Sequence, residues 1–113
     1  MKNKPLVYIA GALRADIPTY IANCSRMIKI AEEVRQQGYA VFVPCLDLLS
    51  GIVIGNLKFD DYFNNSFEIL KRCDCVFLVP GWQSSEGTKR EIELAKRYEI
   101  SVFEDIKLLK RTI

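Results

Sequence analysis

A chain of 113 residues that is half hydrophobic and 27% charged, with a formal net charge of +2, reads as one globular domain spanning residues 1–113. That balance excludes a disordered chain, and no apolar run approaches the roughly 20 residues of a membrane span. With no histidine anywhere, the ordinary near-neutral general base is missing, so acid–base chemistry falls to carboxylates, tyrosines and lysines.

Leu6-Val7-Tyr8-Ile9-Ala10 is an apolar run closed by Gly11, the pattern of a buried first strand. Asp16 and Pro18 suit the start of a helix. Ile21, Cys24, Ile28, Ala31 and Val34 then recur at three and four residues and predict its packed stripe. Gly38 supplies a left-handed stop. Residues 40–44 form a second apolar strand, which completes a βαβ unit. Residues 48–55 are apolar but broken by Gly51 and Gly55. They suit a loop over a pocket, an extra strand, or a contact surface for another subunit. Asp60 or Asp61 opens the next helix, with Phe63, Phe67, Leu70 and Cys73 on its packed face. Cys75 to Pro80 is the third strand. A loop from Gly81 leads into a helix ending near Tyr98, followed by a strand at 101–103 and a helix at 105–111. The class is α/β, with a short parallel sheet of four to five strands between helices.

The four cysteines, Cys24, Cys45, Cys73 and Cys75, lack the spacing of a zinc site and read as reduced core residues. Neither a metal nor a cofactor is expected. The N-terminus has a positive start without the apolar stretch and cleavage site of a signal peptide, so a cytoplasmic location is expected. The near-neutral charge, with no basic stripe interleaved with aromatics, argues against nucleic acid as a partner.

Open parallel sheets bind ligands outside the carboxyl ends of their strands. Three polar segments converge there: Gly11 to Arg14, Pro44 to Asp47, and Pro80 to Glu91. Gly11 and Arg14 suit an anion at a helix start, although an arginine there is also ordinary solvated surface. In Ser85-Glu86-Gly87-Thr88, Gly87 permits close approach of a ligand, and Ser85 and Thr88 offer hydroxyls. Glu91, one turn on, could attack an anomeric carbon. The plain structural reading makes Ser85 or Thr88 the N-cap, with Thr88 and Glu91 forming a capping box. Trp82 either packs at the mouth of the sheet or stacks on a base, and Tyr8 serves core packing or catalysis. Lys89, Arg90, Lys96 and Arg97 read as a solvated face.

The same segments resemble the nucleoside 2-deoxyribosyltransferase superfamily, which includes small nucleotide N-glycosidases and proteins of the DUF4406 type. The carrying residues are Val7-Tyr8-Ile9-Ala10-Gly11, Gly38-Tyr39 before Val41-Phe42-Val43-Pro44, and Cys73-Asp74 before Val76-Phe77-Leu78-Val79-Pro80-Gly81-Trp82. Ser85-Glu86-Gly87-Thr88 with Glu91 completes the match, and its combination with Gly81-Trp82 most resembles the DUF4406-type branch.

The resemblance implies a three-layer flavodoxin-like sandwich, with Glu91 as nucleophile at the sugar carbon and Tyr8 nearby. It also implies phosphate recognition by the segment from Gly11 to Arg14 and by Ser85. A homo-oligomer, dimer or tetramer, would complete the site. The catalytic aspartate of the hydrolases matches Ser66 here, leaving Asp60 or Asp61, on a shifted helix, or Asp47 to replace it. The expected partner is a small nucleoside or nucleotide, cleaved at its N-glycosidic bond or transferred. The alternatives are a non-catalytic nucleotide or nucleotide-sugar binding module and, third, glycosidic cleavage of a dinucleotide.

Overall fold

The computed structural model describes residues 3–13, 17–46, 50, 53–55 and 59–113. Strand β1 (Leu6–Ala10) is followed by helix α1 (Ile17–Gln36) and strand β2 (Ala40–Phe42). A 3-10 turn at Pro44–Leu46 precedes helix α2 (Phe59–Leu70) and strand β3 (Cys75–Leu78). A second 3-10 turn (Trp82–Ser84) leads into helix α3 (Glu86–Arg97), strand β4 (Ser101–Phe103) and helix α4 (Ile106–Thr112).

The four described strands pair in parallel in the order β2-β1-β3-β4, with Val7 opposite Val41 and Cys75, and Tyr8 opposite Phe42 and Val76. Val7, Tyr8, Ile9 and Ala10 are all fully buried, as a central strand covered on both faces requires. Alternation along the strand assigns the layers. Val7 and Ile9, with Cys75 and Phe77, pack against Met27, Ala31 and Val34 of α1 and Leu109 of α4. Tyr8 and Ala10, with Val76 and Leu78, pack against Leu70 of α2 and Ala95 of α3. The result is a sheet sandwiched between two helical layers.

Helix α1 departs in part from the sequence expectation, whereas α2 keeps its expected face and adds Ser66 to it. On α1 the buried line is Asn23, Met27, Ala31 and Val34, while Ile21 and Ile28 are 55% and 51% exposed. Ala31 and Val34 hold their predicted places and Cys24 packs half-buried against the core, while Ile21 and Ile28 turn outward and Met27 takes the inner position. The polar Asn23 on the inner face disguises this arrangement. On α2, Phe63, Ser66 and Leu70 are buried and Phe67 is half-buried.

Helix ends follow local chemistry. Gly38 takes φ of +102° just past α1, the left-handed conformation expected of it. Helix α3 closes in a Schellman arrangement, in which Ile100 N donates to Ala95 O at 2.8 Å and Glu99 N to Lys96 O at 3.1 Å. Its left-handed residue is Glu99, at φ 58°, where glycine is usual. The thiols of Cys45, Cys73 and Cys75 are buried, and none of the four cysteines forms a disulfide. No helix among the described residues is long and apolar enough to cross a membrane.

Candidate functional site at the carboxyl edge of the sheet

From β1 the chain runs through α1 on one face to β2, and from β2 through α2 on the other face to β3. Strands β1 and β3 are neighbours whose connections leave in opposite directions, which opens a crevice at their carboxyl ends. A cleft of about 700 Å³ occupies that place, with Tyr8, Gly11, Ser66, Ser85, Thr88 and Glu91 on its walls.

Gly11 sets the floor. A Cβ there would lie 2.7 Å from Cβ of Val79, while Val79 N donates to Ala10 O at 2.8 Å. The absent side chain lets the tips of β1 and β3 meet beneath the cleft.

On the α3 side, Ser85 is the N-cap: its Oγ accepts from Thr88 N at 3.1 Å and from the Thr88 hydroxyl at 3.0 Å. Of the two capping alternatives the structure selects Ser85, so Glu91 is not a capping-box partner. It sits deeper in the helix, 7% exposed, and Tyr8 Oη donates to its Oε2. The Tyr8 ring packs fully buried in the core, 5.5 Å from that of Phe42, and its hydroxyl reaches the cleft carboxylate.

Other expected residues fall differently. Gly87 lines the cleft, and its missing side chain also makes room for Phe63, whose Cζ would stand 2.6 Å from an added Cβ. Trp82 packs in the second core cluster and is absent from the cleft wall; its indole nitrogen is buried without a hydrogen-bond partner among the described residues. Ser66 is 5% exposed and faces the cleft. Asp61 is exposed and does not line it. Five helical positions separate these two, a rotation of about 140°, so α2 cannot present both to one cavity. Arg14 and Asp47 lie outside the described residues.

Several cleft residues escape the sequence reading. Thr19, Asn23 and Arg26 enter from α1 and Tyr62 from α2. Arg90, expected on a solvated face, also lines the cleft, with its guanidinium 4.7 Å from the centre of the Phe63 ring. Its signal lies in the sequence: Arg90 directly precedes Glu91 and stands about one helical turn beyond Gly87. Among the described residues, no cluster of three histidine, cysteine, aspartate or glutamate side chains is arranged to hold a metal ion.

Fold and cleft together define an open parallel α/β protein with a buried carboxylate at its switch point. The chain belongs to the family described as a domain of unknown function, DUF4406, whose pattern matches residues 5–104. No curated protein matches the sequence.

Proposed function

We propose that the protein cleaves or exchanges the N-glycosidic bond of a nucleoside or nucleoside monophosphate, with Glu91 as nucleophile. The observation that carries this reading is the buried Glu91 carboxylate, hydrogen-bonded by Tyr8 in a cleft at the carboxyl edge of the sheet. The resemblance to the nucleoside 2-deoxyribosyltransferase superfamily gives the same two residues these positions.

A Glu91 oxygen attacks the anomeric carbon as the carbon–nitrogen bond breaks. The bonding electron pair leaves on the base nitrogen, which takes a proton from solvent. Tyr8 fixes the carboxylate plane through its hydrogen bond. Water, or the nitrogen of a second base, then attacks the same carbon, releases the ester and restores the carboxylate with net retention. The phenol supplies a hydrogen-bond partner to a carboxylate that burial has taken largely out of water.

The test is chromatographic detection of free base from ribo- and deoxyribonucleosides and their monophosphates, with a second base added to capture transfer. Wild type is expected to release base, Glu91→Gln to fall to background, and the peptide carrying Glu91 to gain one glycosyl mass on rapid quenching. Base release undiminished in Glu91→Gln would end the proposal.

A second reading, a non-catalytic nucleotide-binding module, is favoured by Ser66. That position carries an aspartate in the hydrolases it resembles, and Asp61 does not line the cleft. Ligand-induced thermal stabilisation without base release from any substrate would select it.

A further inference from the structure

Helix α1 changes character along one face. Met27, Ala31 and Val34 are core residues, yet the same line continues through Asn23 and Thr19, which line the cleft. Asn23 is 9% exposed, a polar side chain where the core pattern asks for an apolar one. Arg26 Nη1 donates to Asn23 Oδ1 at 3.4 Å. That bond directs the amide oxygen toward Arg26, and the NH2 group is the amide's remaining donor on a residue that lines the cleft. Arg26 lines the same wall and has no carboxylate partner among the described residues. This part of the wall thus offers hydrogen-bond donors and a positive charge that no described carboxylate pairs.

Glu91 approaches from the other side, since α1 and α3 belong to opposite helical layers. A ligand spanning the cleft would meet Glu91 at one end and Asn23 with Arg26 at the other, while the second cleft arginine, Arg90 on α3, holds its guanidinium against the Phe63 ring. Repulsion from Glu91 keeps an anionic group at the α1 end. Resting on the glycosidase reading for the ligand's other end, we propose that Asn23 and Arg26 bind the phosphate of a nucleoside monophosphate, which makes the phosphorylated form the preferred ligand. A phosphate accepts from the planar guanidinium in a two-pronged geometry and from the amide NH2 at once. A neutral nucleoside leaves both donors and the charge unanswered.

Binding is measured by calorimetry on the full chain, using nucleosides, their 5′-monophosphates and inorganic phosphate. The proteins compared are wild type, Arg26→Gln, Asn23→Leu and the control Lys29→Gln, which lies on the exposed face of α1. Monophosphates are expected to bind wild type and the control more tightly than nucleosides do. Each cleft variant should lose roughly ten- to hundredfold of that affinity, the worth of one hydrogen bond to a charged group, with nucleoside affinity unchanged. A structural role for Asn23 predicts a lower melting temperature for Asn23→Leu. The proposal instead predicts equal or higher thermal stability without ligand, because leucine suits the core line. Monophosphates binding no better than nucleosides, or binding equally to all four proteins, would overturn it. Inorganic phosphate binding that equals monophosphate binding and survives both substitutions would do the same. If nucleosides are cleaved through Glu91 but phosphate adds nothing, only this inference fails; if no nucleoside or nucleotide binds, the glycosidase reading falls with it.

Discussion

Replacing Gly87 by alanine sets two effects of known sign against each other. Gly87 stands in the first turn of α3, and its added Cβ would lie 2.6 Å from Cζ of Phe63 and 3.5 Å from both Cε atoms. Carbon atoms pack at about 3.5–4.0 Å, so the ring must retreat by roughly 1 Å. It has little room to do so. Phe63 is 8% exposed, with the Phe67 ring centre 5.1 Å away and the Arg90 guanidinium 4.7 Å from its own. Overpacking of this kind costs about 1–3 kcal/mol. Alanine returns up to about 1 kcal/mol through helix propensity, and less in a first turn. The clash wins, and Gly87→Ala is expected to lower stability by about 1–2 kcal/mol in urea unfolding at unchanged m-value. In a Phe63→Leu background the obstructing ring is gone, so the same substitution should become neutral or stabilising. An alanine that stabilises the otherwise wild-type protein would refute the reasoning.

Three further outcomes are expected. In a double-mutant cycle, Tyr8→Phe and Glu91→Gln should show a coupling of about 1.5–3 kcal/mol, as for a buried hydrogen bond to a charged group; additive effects would deny the pair. Glu99→Gly should raise stability by about 0.5–1 kcal/mol, because relief of a left-handed side chain exceeds glycine's entropy cost; thermal unfolding reads it. Burial first, and the charge of Asp74 second, push the Cys73 and Cys75 thiols from an ordinary 9.0 up to about 11 and about 12. Unfolded thiols ionise at lower pH than folded ones, so this contribution is complete below pH 9.0 and is lost as pH rises toward about 12. Urea midpoints measured from about pH 8 upward should therefore fall less steeply in Cys75→Ala than in wild type, and identical slopes would count against the assignment.

The strands and the caps are readable because their causes are local. The run from Leu6 to Ala10 needs only its own side chains to be a central strand, and Ser101–Phe103 coincides with its expected limits. Gly38 stops α1 by its own conformational freedom. The loop before α3 also shows Ser85, Thr88 and Glu91 as one local cluster. The pairing of Glu91 with Tyr8 spans 83 positions and has no local cause. Helix phase is harder. Polar residues that turn inward to a cleft, such as Asn23 and Ser66, look like breaks in an apolar stripe. Isoleucines that face outward, such as Ile21 and Ile28, look like part of one. Arg90 is exposed, as its charge suggests, and it reaches the cleft as well because its guanidinium rests against the Phe63 ring of the neighbouring helix.

Among the described residues the sheet ends on both sides in strands of three residues, β2 and β4. An incoming strand would find too few backbone donors and acceptors on either border to extend the ladder, which is how short edges guard against uncontrolled stacking. Any association between copies would then have to recruit helical surfaces. Ile21 and Ile28, standing two turns apart and more than half exposed on α1, give such a surface its apolar footing.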